Sequence, residues 1–325
     1  MKRRSLLEHV GQLGAALTAP WLGACATVSP LTVGIHPWIG YETLRLASTF
    51  HRLSESVLLY ETKDLSDSAA LMQAGKLDAA CTTLDEVLRL RAGGVPLTVA
   101  LVFDVSEGGD AVIARPQVRN LSDLARKRIG VEKGALGFLM LGELLKACRL
   151  ERSAITVVDV STDRQLQAWR NGEIDAAITY EPVATLLQRE GGVRLFDSRQ
   201  VPDTIFDVLA VRTDRVAGNA AALRALVRGH FHGLSHLNRH REDATYRIAT
   251  TQGISPAEVR QAIRGVRLPS LEANREYLSG KTGRLLTVAQ SLSAMMVRER
   301  LLAHEDPLAN LSNDTWLPLD DGEWA

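Results

Sequence analysis

Cysteine is scarce in this chain: three among 325 residues, Cys25, Cys81 and Cys148. They form no CxxC pair and no zinc-ligand spacing, so no disulfide framework and no cysteine-based metal centre is expected. Cys81 and Cys148 sit in apolar patterns and read as small core residues. An excess of either charge is also missing. Basic and acidic residues number 38 each, with no polybasic run, so nucleic-acid binding has no electrostatic footprint. No stretch reaches the ~18 apolar residues that a transmembrane helix needs. No low-complexity segment interrupts the chain. What remains is a long, evenly charged sequence with a hydrophobic fraction of 46%, enough for a large core and about two domains.

Two stretches organise it. Gly75-Lys76-Leu77-Asp78-Ala79-Ala80 runs on through Cys81-Thr82-Thr83-Leu84-Asp85-Glu86, and Gly172-Glu173-Ile174-Asp175-Ala176-Ala177 runs on through Ile178-Thr179-Tyr180-Glu181-Pro182. Each reads as a helix stopped by Gly, a short apolar strand opened by Asp, and a polar turn into another helix. Upstream lies a second matched pair, Thr32-Val33-Gly34-Ile35-His36 and Arg128-Ile129-Gly130-Val131-Glu132. Gly130 follows Gly34 by 96 positions, and Asp175 follows Asp78 by 97. Two pairs at nearly one offset point to two copies of one α/β unit.

Taken in order, strands are expected at 31–35, at 57–60, at the first Asp-Ala-Ala stretch opened by Asp78, and at 97–103, separated by helices at 42–50 and 65–74 and a short one near 86–90. This alternation predicts parallel sheet with right-handed crossovers. The segment from Asp104 to Asp110 is polar and reads as a flexible crossing into a second lobe. There the rhythm resumes: strands at 111–114, 129–131, 155–158, the second Asp-Ala-Ala stretch and 193–196, and helices at 121–126, from the Glu132-to-Gly137 loop to about Ala147, after Ser161-Thr162, and from Pro182. Val201 to Val211 reads as the return crossing. Beyond Asp214 the chain is helical, with candidates at 222–237, 241–250, 256–266, 271–279 and 286–302 and an irregular tail after Pro307. Lobe one is thus expected from 30–105 plus 206–325, and lobe two from 110–203.

Ligands of open parallel sheets bind beyond the carboxyl ends of the strands. Four such ends come from the two copies: His36 to Tyr41, Thr82 to Asp85, Glu132 to Gly137, and Thr179 to Pro182. If the lobes face each other, these loops converge on one cleft. Helices open behind the first and third, so backbone N–H groups there face a ligand. The candidate binding residues are His36, Trp38, Tyr41, Thr82, Thr83, Asp85, Asp110, Glu132, Gly134, Thr179, Tyr180 and Glu181. Trp38 and Tyr41 offer flat faces and the threonines offer hydroxyls. Plainer readings stand beside these: Trp38 as a core residue at a proline turn, Thr179 and Tyr180 as ordinary strand-end residues, His36 as a satisfied loop histidine. No Ser or Cys nucleophile is placed beside His36. His232, His236 and His240 share a helix face and suit a solvated surface better than a metal site, since no acidic motif accompanies them.

Gly34-Ile35-x-Pro37-Trp38-x-Gly40-Tyr41-Glu42, Leu84-Asp85-Glu86, Phe103-Asp104-x-Ser106-x-Gly108-Gly109-Asp110, Asp175-Ala176-Ala177 with Glu181-Pro182, and Ser198 to Asp207 together resemble a family. It is the substrate-binding proteins of ABC-type bacterial uptake transporters, in the nitrate/sulfonate/taurine group. The resemblance runs from about Leu31 to Val211. It implies an α/β type 2 periplasmic-binding-protein fold: two Rossmann-like lobes, a two-segment hinge and a helical C-terminal part. It also implies a small-molecule ligand, an ABC permease as partner, and no cofactor or catalysis. The N-terminus agrees. Lys2-Arg3-Arg4 and a mildly apolar run end at Leu22-Gly23-Ala24-Cys25, which resembles a lipobox, while Arg3-Arg4-Ser5-Leu6-Leu7 resembles a twin-arginine signal. Residues 1–24 are therefore expected to be an export signal, with Cys25 lipidated as a membrane anchor on an extracytoplasmic monomer. The cleft candidates carry carboxylates, with Lys133 and His36 as the basic groups. A sulfonate or nitrate site calls for arginine or lysine, so the balance leans to a neutral or amine-bearing ligand, although helix N-termini can hold an anion. The rival is an enzyme on the same fold. The thiamine-precursor synthases of the family carry a cysteine-rich run and a cofactor lysine, and no such run occurs here. A sensory protein that binds ligand without a transporter is a third reading.

Overall fold

The two aspartates at matched positions do the same job. Asp78 Oδ2 accepts the Thr32 N–H at 2.9 Å, and the Asp78 N–H donates to the Thr32 carbonyl at 2.9 Å. Asp175 Oδ2 accepts the Arg128 N–H at 2.9 Å, and the Asp175 N–H donates to the Arg128 carbonyl at 2.8 Å. Each aspartate thus clasps the start of the neighbouring parallel strand. The glycines before them, Gly75 and Gly172, end their helices at φ +67° and +71°, a left-handed turn that L side chains resist. The register repeats as well: Gly34 lies opposite Ala80, and Gly130 opposite Ala177. The duplication read from spacing is a structural duplication.

The computed structural model describes residues 29–280 and 283–319. The expected export segment 1–24 and the lipidation position Cys25 lie outside the described residues. Lobe one begins with β1 (Leu31–Ile35), α1 (Glu42–Thr49), β2 (Val57–Glu61), α2 (Leu65–Gln73), β3 (Ala79–Thr83), α3 (Leu84–Ala92) and β4 (Leu97–Ser106). Lobe two holds β5 (Asp110–Ala114), β6 (Arg128–Val131), α4 (Ala135–Cys148), β7 (Thr156–Asp159), α5 (Thr162–Arg170), β8 (Ala176–Tyr180), α6 (Val183–Arg189) and β9 (Val193–Asp197). The chain returns through β10 (Phe206–Arg212) to α7 (Val216–Arg239), α8 (Arg241–Gln252), α9 (Pro256–Ile263), β11 (Val266–Arg267), α10 (Leu271–Leu278) and α11 (Arg284–Arg298).

The sheets run β11-β4-β10-β3-β1-β2 and β7-β6-β8-β5-β9. In both, three parallel strands are followed by a strand that has crossed from the other half of the chain: β10 beside β3, and β5 beside β8. Both crossing strands run antiparallel, so the sheets are mixed where the sequence suggested parallel ones. The crossing chain enters each sheet from the end facing the other lobe, which reverses its direction. β3 and β8 are buried at every position, which is why their sequences are continuously apolar or small rather than alternating.

Three expectations are corrected. The Asp104-to-Asp110 segment is not a flexible polar crossing: all ten residues of β4 are buried, Asp104 and Ser106 included, and only Glu107 to Gly109 lie between the sheets. The helix expected at 256–266 ends at Ile263, because Val266 and Arg267 pair with Ser106 and Val105 at the end of β4. The helix expected at 121–126 is a single 3₁₀ turn, Leu121–Leu124. The tail after Pro307 is irregular, as expected; within it Leu311, Trp316 and Leu317 are buried, and the Val99 N–H donates to the Leu311 carbonyl at 2.7 Å.

The two crossings are pinned together. Ser106 and Ser198 share a hydroxyl hydrogen bond of 2.8 Å, and the Gly108 N–H donates to Ser198 Oγ at 2.6 Å. The Gly265 carbonyl accepts the N–H groups of Glu107 and Gly109, both at 2.8 Å. Arg267 reaches Glu107 at 2.7 Å and Asp203 at 3.0 Å, one residue on each crossing. The C-terminal helical part therefore grips the hinge.

Candidate ligand-binding site

Local folding brings the loop after β1 against the hinge. Trp38 Nε1 donates to Asp104 Oδ2 at 3.0 Å. The indole lies so close over Gly109 that a Cβ there would meet Cη2 at 2.6 Å. Its edge faces Tyr180 of lobe two, with ring centroids 5.9 Å apart. His36 also packs edge-on against Tyr180 at 5.9 Å, and against Tyr41 at 5.2 Å. Two aromatic groups from lobe one thus close on one tyrosine of lobe two.

Between the lobes lies a small cavity in two adjoining parts, about 20 Å³ and about 10 Å³. That is room for a water or two, so the lobes must part before a ligand enters. Lobe one contributes His36, Trp38, Leu65, Thr83 and Asp207; lobe two contributes Asp110, Glu132, Gly134, Leu136, Thr179 and Tyr180, with Met140, Thr162 and Ile178 behind. Of the residues chosen from sequence, His36, Trp38, Thr83, Asp110, Glu132, Gly134, Thr179 and Tyr180 are brought together here.

Four others stand outside this lining. Tyr41 is fully buried and its hydroxyl donates to Asp207 Oδ1, so it backs the site rather than facing it. Thr82 alternates away from Thr83 on β3, as a strand requires. Asp85 is buried in the first turn of α3 with both carboxylate oxygens unpartnered. Glu181 is held by Arg194 at 2.9 Å and by the Thr185 N–H at 3.0 Å. Sequence reading missed Leu65, Leu136 and Asp207 as cavity residues. The first two look like ordinary core positions of their helices. Asp207 carried one available signal, a charged residue inside an otherwise apolar return strand.

The electrostatics are one-sided. Burial pushes Asp110 and Asp85 up to about 7, in each case ahead of any neighbouring charge. Asp104 and Asp207 sit opposite each other on adjacent antiparallel strands, and burial, with each other's charge, raises the Asp207 carboxyl well above its usual range. Asp104 is raised as well, by burial first. Burial lowers His36 to about 3, so its ring is neutral near pH 7. Among the described residues lining the cavity there is no arginine or lysine; Lys133 is exposed, and nearby Arg194 is committed to Glu181. Asp110 Oδ2, Thr83 Oγ1, Thr179 Oγ1 and His36 Nδ1 are buried without a hydrogen-bond partner in the protein. Buried polar atoms are normally paired, so this arrangement has unspent capacity to accept hydrogen bonds or positive charge. His232, His236 and His240 lie far from it on α7 and its end; contrary to the expectation of no acidic companion, His236 Nε2 meets Asp243 at 2.8 Å. No group of three or more His, Cys, Asp or Glu suited to a metal occurs among the described residues.

Two lobes of one repeated α/β unit, joined by two crossing strands and closed over a small cavity that holds a few buried polar groups, define the periplasmic-binding-protein class of fold. Within it, the chain belongs to the NMT1/THI5-like family, whose profile matches residues 56–244. It is similar to the taurine-binding periplasmic protein of Escherichia coli, 26% identical over 137 residues; that stretch is 41% of this chain and 42% of the relative, so the match spans less than half of each. Among solved structures it is similar to the alkanesulfonate-binding protein SsuA of Xanthomonas axonopodis pv. citri bound to MOPS, with TM-score 0.69, 17% identity, and 84% of this chain and 95% of that one covered. It is also similar to the desulfurization enzyme DSZB, with TM-score 0.62, 16% identity, and 89% and 97% covered. At these identities the structures speak to the fold.

Proposed function

We propose that this chain is the extracytoplasmic solute-binding component of an ABC importer. It captures one small molecule between its lobes and delivers it to a permease in the inner membrane. The observation that carries the reading is the shared cavity: unpartnered, buried polar atoms from both lobes meet at one place that opens only if the hinge opens. The taurine-binding relative supports the same role. In this reading residues 1–24 direct export, lipidated Cys25 anchors the protein to the membrane, and it works as a monomer without a cofactor.

The ligand is amine-bearing or neutral. Asp110 and Asp207 face the cavity, and no lining cation balances them. A buried carboxylate wants a positive partner or a proton, and an ammonium group supplies the first. Trp38, His36 and Tyr180 give the apolar walls for the rest of a small molecule.

Binding without turnover is favoured over catalysis. His36 is held neutral with no nucleophile beside it, and burial pushes the Cys81 thiol well up, away from the reactive thiolate. The test is a thermal-shift screen of the purified protein against a nutrient library rich in amines, with calorimetry on each hit. A stoichiometric hit recovered unchanged is the expected result. Conversion of the hit into product places the chain with the enzymes of this fold, and a library without any hit ends the solute-binding reading.

A further inference from the structure

The two lobes exchange helix caps. α4 of lobe two begins at Ala135, and its first N–H donates to Glu86 Oε1 of lobe one at 2.9 Å. α2 of lobe one begins at Leu65, and the Ser66 N–H donates to Glu132 Oε1 of lobe two at 2.7 Å. Ser66 Oγ donates to the Lys133 carbonyl at 3.0 Å beside them. Gly134 makes room for this: a Cβ there would meet Glu86 Oε1 at 2.7 Å. Both carboxylates are buried and well held. Glu86 also pairs with Arg89 at 2.5 Å, and Glu132 accepts from Thr162 and, at 3.3 Å, from Tyr180. Glu132 and Gly134 line the cavity, next to Asp110 and Thr179 with their unpartnered oxygens.

A helix N-terminus in a cleft is where an anionic head group settles, because free N–H groups and the helix dipole both favour negative charge. Here those positions are already filled by the protein's own anions. We propose that Glu86 and Glu132 determine specificity by acting as built-in anions. They occupy the two helix starts across the closed cleft, so it refuses sulfonate, sulfate and phosphate groups and accepts ligands without them. A free anion displacing either glutamate leaves that carboxylate buried without its cross-lobe donor, and it meets the field of Asp110 and Asp207 as well. The same two bonds break when the lobes part, so the glutamates also bias the ligand-free protein toward closure. This inference rests on the interlobe cavity being the ligand site.

The test uses ethanesulfonate as the anionic probe and the purified protein, read by calorimetry. Wild type is expected to give no saturable heat. Glu86→Ala/Glu132→Ala frees the Ala135 and Ser66 N–H groups, while Asp64 still caps Asp67 on α2, and is expected to give a saturable ethanesulfonate isotherm where wild type gives none. Glu86→Gln/Glu132→Gln keeps the size and one acceptor oxygen in each side chain, replaces the other oxygen by an amide donor, and removes the charge. It is expected to gain affinity in the same direction, which covers the case in which the alanine pair does not fold. Tight ethanesulfonate binding by wild type overturns the inference while leaving the solute-binding reading intact, as does a folded double variant with no gain. A wild type stabilised by amines but not by ethanesulfonate, with the gain in either variant, supports it. Absence of any ligand of either charge for wild type and variants alike takes down both this inference and the solute-binding reading.

Discussion

Asp110 is the residue on which site and stability meet. Its carboxyl is raised from 3.8 to about 7 by burial, so the folded protein holds this proton over a range where the unfolded chain has lost it. Below the unfolded value both states are protonated and nothing is gained or lost. Between 3.8 and about 7 the folded state binds the extra proton, so the group's contribution falls as pH rises, and above about 7 the full cost is present. His36 and His230, each lowered to about 3 by burial, act in the opposite sense: their contribution rises with pH from about 3 to 6.5. The wild-type curve mixes the two, and the difference between variants separates them. Asp110→Asn is expected to be nearly neutral at pH 3 and to stabilise the ligand-free protein relative to wild type increasingly up to pH 8, by on the order of 4 kcal/mol there, in urea titrations. The same variant should weaken an amine ligand at pH 8 by roughly tenfold or more. A pH-independent difference in stability would show that burial does not raise the Asp110 carboxyl in the fold.

At the scale of the element, the repeated unit carries the same aspartate clasp in each lobe. The bond from the aspartate carboxylate to the neighbouring strand cannot be supplied by anything else in the sequence. Asp78→Ala and Asp175→Ala each leave a strand-opening N–H without its acceptor. Both sites are partly solvated, the carboxylates being 17% and 23% exposed, which sets the penalty toward the low end. Each variant is expected to lose about 1–2 kcal/mol in chemical denaturation. Matched losses in the two lobes follow from the matched geometry; a loss in one and none in the other would mean the clasps are not equivalent.

For the whole molecule, the motion that matters is the parting of two lobes around short crossings. Glu107 to Gly109 is one, and the stretch from Ser198 to Ile205 is the other. Hinges of this kind absorb the change in a few residues, typically on μs–ms times. Small-angle scattering is expected to give a smaller radius of gyration with a saturating, calorimetrically verified ligand than without. Superimposable profiles for such a ligand would mean that the cavity is reached without lobe movement.

The sequence by itself determined the repeat, the strand and helix order, and the four loops that gather at the cleft. Those follow from local chemistry: Gly at helix ends, Asp at strand starts, apolar runs of strand length, and one offset shared by two pairs. It also made eight of the lining residues legible, since they sit at or beside strand ends. Tertiary structure alone decided the rest. Whether Tyr41, Thr82, Asp85 and Glu181 face the cavity depends on which neighbour each meets: Asp207, from far along the chain, claims Tyr41, and Arg194 on the next strand claims Glu181. The direction of the crossing strands depends on where the chain enters each sheet. The burial of the Asp104 segment depends on Trp38 and on the C-terminal helices that cover it. The exchange of caps between Glu86 and α4, and between Glu132 and α2, exists only once the two lobes face each other. No periodicity in the sequence records a hydrogen bond between halves that meet only across the cleft.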